Sequence, residues 1–517
     1  MTTRAATPAS APRAIKHAIR NRAVWLVAVA AFGVEMAVSG RYGYDRDELY
    51  FLASGQHLGW GYVDQPALTP LLARLDALLT GNTLVGLRAL PALGLAALVL
   101  LTAAMARALG AGRGGQLLAA IATACCAEYL GAMHELTTTP VDFVCWAAAL
   151  LAVTKLLTSS DTRWWVALGG LAGVGMDAKW NIGFLVAALA VGFALTPAAR
   201  PLLRSRYLVC AAVLFAVLAS PDFVWQALHG WPNFAVFGHL QQQAWQNRVL
   251  YWPIQVVYTS IVLVPLWVGG IRWALRDARL RVVGVAAVTV IVVQFVLGGK
   301  GYYPGGIYTF CFAAGATAVA DAPLPQRVLL RLRVLPRLRL RVLPRLRLRV
   351  VKYVVAAAVS ALIALPLLPA AALARFPVQK VNYDLGEEIG WPSQVALLAR
   401  AYDALPASQR AVAAVITGNY GEAGAVDRYG AALGLPAAYS GANDYWLWGP
   451  PPPGDTVAVA INVDPALLRR WFSSVRVAAV YRNGLGVSDD EEGAVVYLAT
   501  GLRSAWSTAW PSFRDYS

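Results

Sequence analysis

Asp45, Asp47, Glu48 and Asp64 lie in the stretch YGYDRDELYFLASGQHLGWGYVDQPALTP, residues 42–70, between two long apolar runs. A ring belt at a membrane interface would account for Tyr42, Tyr44, Trp60 and Tyr62. It does not account for paired acids beside Leu49, Tyr50, Phe51 and Leu52, and charged groups at a membrane site point to function. Asp47 and Glu48 are adjacent, so on a helix or strand they cannot point the same way. One can therefore serve a reaction while the other holds structure. His57, Tyr62, Asp64 and Gln65 supply ring and polar groups in the same stretch and are assigned to a substrate groove.

Other charged groups sit at the ends of apolar runs. Asp142 follows TTTP, where a carboxylate at the edge of a span costs a few kcal/mol unless it has a partner or a task; Pro140 before it also fits a helix N-terminus that would stabilise the acid through the dipole. Lys300 stands in GGKGYYPGG beside Tyr303. Its ammonium could hold a lipid phosphate where the glycines let the backbone approach, or simply snorkel to the interface. Arg88 lies one turn inside an apolar run, and a phosphate or carboxylate partner would explain it. His57, His134, Glu135 and His229 lack zinc spacing, so no metal site is assigned and metal dependence is left open. GNYGEAG at 418–424 resembles a phosphate turn, but its glycine spacing fits neither phosphate motif and a tight strand-to-helix turn explains it equally well. No serine elbow, Walker lysine loop or dinucleotide fingerprint stands in credible context, so no cofactor is assigned.

The elements that must position these groups are mostly membrane helices. The chain is 58% hydrophobic and 14% charged, with many apolar runs of spanning length, which excludes a soluble class. A net charge of +16 is spread between those runs as the positive-inside bias spreads it, so nucleic acid is not a partner. The five cysteines lie in apolar segments and offer neither a disulfide framework nor a zinc site. The pattern predicts a mainly α, polytopic protein with about eleven spans in 23–373. Residues 1–22 form a disordered cytoplasmic tail, and 321–350 a cytoplasmic loop holding RVLPRLRL twice in tandem. Residues 374–517 read as an external α/β domain, with strands at 411–417, 456–463, 475–481 and 494–500.

DELYFLASGQHLGWGYVDQPALTPLL resembles the first external loop of the GT-C glycosyltransferases of family 39, which includes protein O-mannosyltransferases and lipid A aminoarabinose transferases. The likeness continues through TTTPVDFVCW, LAGVGMDAKWNIGFL, SPDFVWQALHGWP, GGKGYYPGGIY, TGNYGEAGAVDRYG and YSGANDYWLWGP. It implies a multi-pass enzyme of the bacterial plasma membrane with its site on the external, periplasmic side. The donor would be a sugar, hexosyl or pentosyl, on polyprenyl phosphate, and the acceptor a lipid, glycan or protein. Asp47 would be the catalytic base with Glu48 its neighbour, Asp142 a second acid, and Lys300 a contact to the lipid phosphate, with Arg88 and Tyr303 beside it. QPAL stands where many relatives have two prolines. Two other classes compete: a secondary transporter, against which stand the absence of repeat symmetry and of paired broken helices, and a non-catalytic lipid-linked glycan binder or flippase partner, which would keep the groove without the base.

Overall fold

The structure, a computed structural model, describes residues 21–321 and 353–516. Residues 1–20 of the N-terminal tail and the whole of the arginine repeat lie outside them. Apolar helices build the first part of the molecule. Leu84–Ala108, Thr138–Ser159 and Arg206–Leu228 are each long and apolar enough to cross a membrane. Each starts at a hydroxyl cap, Thr83, Thr137 or Ser205, which accepts a backbone N–H of the first turn. Ile182–Ala194 and Pro197–Arg204 qualify only as a pair, bent by 112°.

The expected eleven spans are not eleven long helices. The apolar run at 115–133 is broken at Cys125 and Cys126 into Arg113–Ala124 and Ala127–Ala132. The apolar run at 252–271 is broken after Tyr258 and resumes at Val264. Three more helices, Arg281–Leu297, Gly305–Ala320 and Tyr353–Ala364, are apolar but shorter. Helices meet where small residues let backbones approach. A Cβ on Gly169 would lie 2.3 Å from the Ala211 carbonyl oxygen, and one on Gly173 would lie 2.8 Å from Leu218 Cβ, so the helix Trp164–Ala178 sits directly on Arg206–Leu228.

The acidic stretch is not an open loop. It folds into the helices Arg46–Gln56 and Leu68–Thr80, joined by a turn closed by the Gly61–Pro66 bridge.

The C-terminal part carries a five-stranded mixed sheet. Its strands are β1 (Ala413–Thr417), β2 (Ala438–Ser440), β3 (Val457–Ile461), β4 (Phe472–Val480) and β5 (Val495–Leu502), ordered β2-β1-β3-β5-β4. β1 runs parallel to β2 and β3, while β5 runs antiparallel to β3 and β4. β1 and β3 are buried throughout, as central strands covered on both faces must be. On one face Val415, Val459 and Ile461 share a core with Leu49, Tyr50 and Phe51, so the acidic helix packs into the C-terminal core. Leu468, Trp506 and Phe513 cover the other face. The three-residue β2 is too short to show as an apolar run in the sequence.

Candidate active site

The helix Arg46–Gln56 begins with a capping box. Asp45 accepts the Asp47 N–H at 2.7 Å, and Glu48 accepts the Asp45 N–H at 3.0 Å. These bonds divide the acids into different tasks. Glu48 is buried and also binds Arg88, with Arg88 Nη2 at 2.9 Å and Nε at 3.1 Å, and accepts the Leu136 N–H at 3.1 Å. It holds structure and presents no face to a substrate, which corrects its assignment to catalysis.

Arg88 is likewise removed from phosphate binding. Its side chain is wholly buried, and it donates to Glu48, to Glu388 at 3.5 Å and to the Gly43 carbonyl at 2.8 Å, with His134 Nε2 at 2.9 Å. The partner that its place in an apolar helix demanded is thus a pair of carboxylates.

Asp47 stays half-buried, and the Tyr420 hydroxyl donates to its Oδ1 at 2.9 Å. Tyr420 comes from the C-terminal helix Tyr420–Tyr429, opened by a second capping box, Asn419 with Glu422. The glycines of GNYGEAG make this approach possible, and no phosphate cradle is needed to explain them. A Cβ on Gly424 would lie 2.8 Å from Leu49 Cβ and 3.0 Å from the Leu49 carbonyl oxygen. Gly424→Val should therefore cost about 1–3 kcal/mol by overpacking, read as a lowered unfolding midpoint, and should reduce activity by displacing Tyr420. An unchanged midpoint would remove the seam from the account.

Asp384 and Lys179 both feel the charge of Asp47, and Lys300 acts on both of them. Asp384 is exposed as a residue, while protein surrounds its carboxyl. Burial first, then the Asp47 charge, pushes it up to about 6, against Lys300 and Arg46. Burial lowers the Lys179 ammonium to about 8; Asp142 and Asp47 oppose this and Lys300 adds to it. Lys179 donates to Thr139 Oγ1 at 3.0 Å and lies over the rings of Tyr302 at 4.9 Å and Tyr303 at 5.4 Å. Lys300, Tyr302 and Tyr303 are all half-buried.

Asp142 anchors this group of side chains. Its Oδ1 accepts Trp146 Nε1 at 2.9 Å and its Oδ2 accepts Asn181 Nδ2 at 3.0 Å, and the same amide donates to the Tyr303 carbonyl at 3.0 Å. Both oxygens are engaged inside the protein, so Asp142 ties the Lys179 turn to the Lys300 turn and is not a second open acid.

The groove residues divide as well. His57 is exposed and stacks on Trp448 at 4.2 Å. The Tyr62 hydroxyl donates to the Ser54 and His57 carbonyls at 3.1 and 3.2 Å, which fixes the loop. Asp64 and Asp444 share the Tyr50 hydroxyl at 3.0 and 2.6 Å, and burial pushes both up, Asp444 to about 7. Gln65 is buried with neither amide atom partnered.

Sequence reading missed Lys179, Asp384 and Tyr420. The Asp-x-x-Glu spacing of a capping box at 45–48 was the local signal that Glu48 was committed. For Asp384 and Tyr420 no local signal exists, because they reach Asp47 only through the fold. Among the described residues no group of three or more His, Cys, Asp or Glu side chains is placed to hold a metal ion.

Residues 64–225 match the model of a family described as dolichyl-phosphate-mannose-protein mannosyltransferase. The fold is similar to that of ArnT from Cupriavidus metallidurans. In the apo state the TM-score is 0.56 at 14% identity, covering 93% of this chain and 98% of that one. Bound to undecaprenyl phosphate it is 0.53 at 16% identity, covering 92% and 97%. Comparison with curated protein sequences finds no match. The family match, over residues 64–225, and the shared fold agree with the resemblance read from the motifs.

Proposed function

We propose that this protein moves a sugar from a polyprenyl-phosphate donor to an acceptor on the external side of the plasma membrane, with Asp47 as general base and Lys179 and Lys300 on the donor phosphate. The observation that carries the reading is the half-buried Asp47 carboxylate, whose charge acts on Lys179 and Asp384 as does that of Lys300, while the neighbouring acids Asp45 and Glu48 are committed to the helix cap. The similarity to a structure bound to undecaprenyl phosphate supports the donor class.

Asp47 takes the proton of an acceptor hydroxyl or amine as that atom attacks the anomeric carbon. The bond from that carbon to the phosphate oxygen breaks, and the lysines stabilise the charge gathering on the leaving phosphate. A single displacement inverts the anomeric configuration. The Tyr420 hydroxyl steadies the Asp47 oxygen it binds and leaves the other for the proton. Asp384 comes from the segment after the last apolar helix and is a further acid of the site.

The lysine assignment has a pH signature. Lys179 is charged below about 8 in the unliganded protein, so binding of undecaprenyl phosphate should weaken as pH rises through that value. Lys179→Arg should flatten the dependence, because a guanidinium does not lose its proton in this range. Lys300→Ala should weaken binding at every pH. A binding curve level from pH 6 to 9.5 in the wild type would remove Lys179 from the phosphate.

A further inference from the structure

A cleft of about 430 Å³ opens between the end of the helix Arg206–Leu228 and the C-terminal part. One wall is His229, Trp231 and Pro232, just beyond the helix Arg206–Leu228; the other is Trp446, Arg514 and Tyr516 from the C-terminal part. Neither Asp47, Lys179 nor Lys300 lines it.

Its rings are held as platforms. Trp446 and Trp510 bond reciprocally, each indole N–H to the other's carbonyl at 3.1 Å. Trp231 has a left-handed backbone, φ 59°, which is unusual for a bulky side chain, and its N–H is fixed by the Gln226 carbonyl at 2.8 Å. Such strain is a reason to look for function at that position. Arg514 stacks over Trp446 at 5.2 Å and over Tyr516 at 5.5 Å. Among the described residues it forms no ion pair, so the cleft offers a planar cation held by rings.

The cleft is joined to the reactive acid by short steps. Trp446 stands on the helix Asn443–Leu447, which also carries Asp444 to the Tyr50 hydroxyl at 2.6 Å. The Tyr50 ring meets Tyr420 at 4.7 Å, and Tyr420 binds Asp47.

We propose that this cleft binds the acceptor, and that the acceptor is a saccharide bearing an anionic group. The electron-rich faces of Trp231, Trp446 and Tyr516 suit the C–H face of a sugar ring. The Arg514 fork suits a carboxylate or phosphate substituent. The donor phosphate is excluded as occupant because its lysines lie elsewhere. This rests on the glycosyltransferase reading for the word acceptor, but binding can be measured without turnover.

The test uses the full chain in lipid nanodiscs on an array of neutral, carboxylated and phosphorylated saccharides, with undecaprenyl-phosphate binding measured in parallel. Wild type should bind a subset of the anionic saccharides. Trp446→Ala and, on the opposite half-exposed wall, Trp231→Ala should each weaken that binding by tenfold or more. Arg514→Gln should erase the preference for anionic over neutral members, and all three variants should keep undecaprenyl-phosphate affinity within twofold of wild type. The carboxylated and phosphorylated members separate the two sources of the anion. Absence of saccharide binding by wild type, wild-type affinity in either tryptophan variant, or an anionic preference that survives Arg514→Gln would overturn the proposal. Loss of undecaprenyl-phosphate binding by wild type would instead overturn the donor reading and leave the array result to decide the cleft.

Discussion

Asp47→Asn is expected to lower sugar transfer by about 10²- to 10⁴-fold, the usual worth of a positioned general base, while leaving the protein folded and able to bind donor. The amide keeps the size of the carboxylate and can still accept the Tyr420 bond, but it cannot take a proton from the acceptor. The loss should appear in kcat and in kcat/KM together, as for an interaction made only in the transition state. Asp45→Asn should do far less to turnover, because an asparagine caps a helix about as well as an aspartate. Near-normal turnover in Asp47→Asn with a dead, folded Asp142→Asn would move the base to Asp142.

Arg88→Met should be the most destabilising single change in the molecule. It leaves Glu48 and Glu388 buried without their shared cation, and breaking a buried pair by removing one partner costs about 3–5 kcal/mol. Arg88→Lys should rescue little of this. One ammonium cannot serve Glu48, Glu388 and the Gly43 carbonyl at once as the guanidinium does. The effect should reach activity as well as stability. Glu48 follows Asp47 directly, and Glu388 lies one helical turn after Asp384, so one guanidinium fixes the segments that carry two acids of the site. Thermal unfolding in detergent measures the first effect and donor turnover the second. A variant as stable as wild type would mean that the acids are neutralised some other way.

The parts of this arrangement that the sequence revealed are those encoded locally. Apolar runs marked the helices, and the density of acids and rings at 42–70 marked the region of the site. Asp47 and Lys300 stood out because charges beside membrane segments are costly. The errors follow from partnership, which one sequence does not display. Arg88 called for a phosphate or a carboxylate, and the partner is Glu48, forty residues away, together with Glu388. Asp142 called for a partner or a task, and its partners are Trp146 and Asn181. Lys179 passed unnoticed, since nothing local shows that Tyr302 and Tyr303 lie under it. The glycines of GNYGEAG suggested a ligand because close approach is also what phosphates require; here the approaching backbone is that of Leu49.

The most direct test is to offer purified protein a panel of undecaprenyl-phosphate-linked sugars with extracted envelope acceptors, and to follow both the undecaprenyl phosphate released and the configuration of the new glycosidic bond. The account predicts that one donor is turned over with inversion, that Asp47→Asn stops release, and that Lys179→Ala and Lys300→Ala raise the donor concentration needed. Release at the wild-type rate in Asp47→Asn, or product of retained configuration, would contradict it.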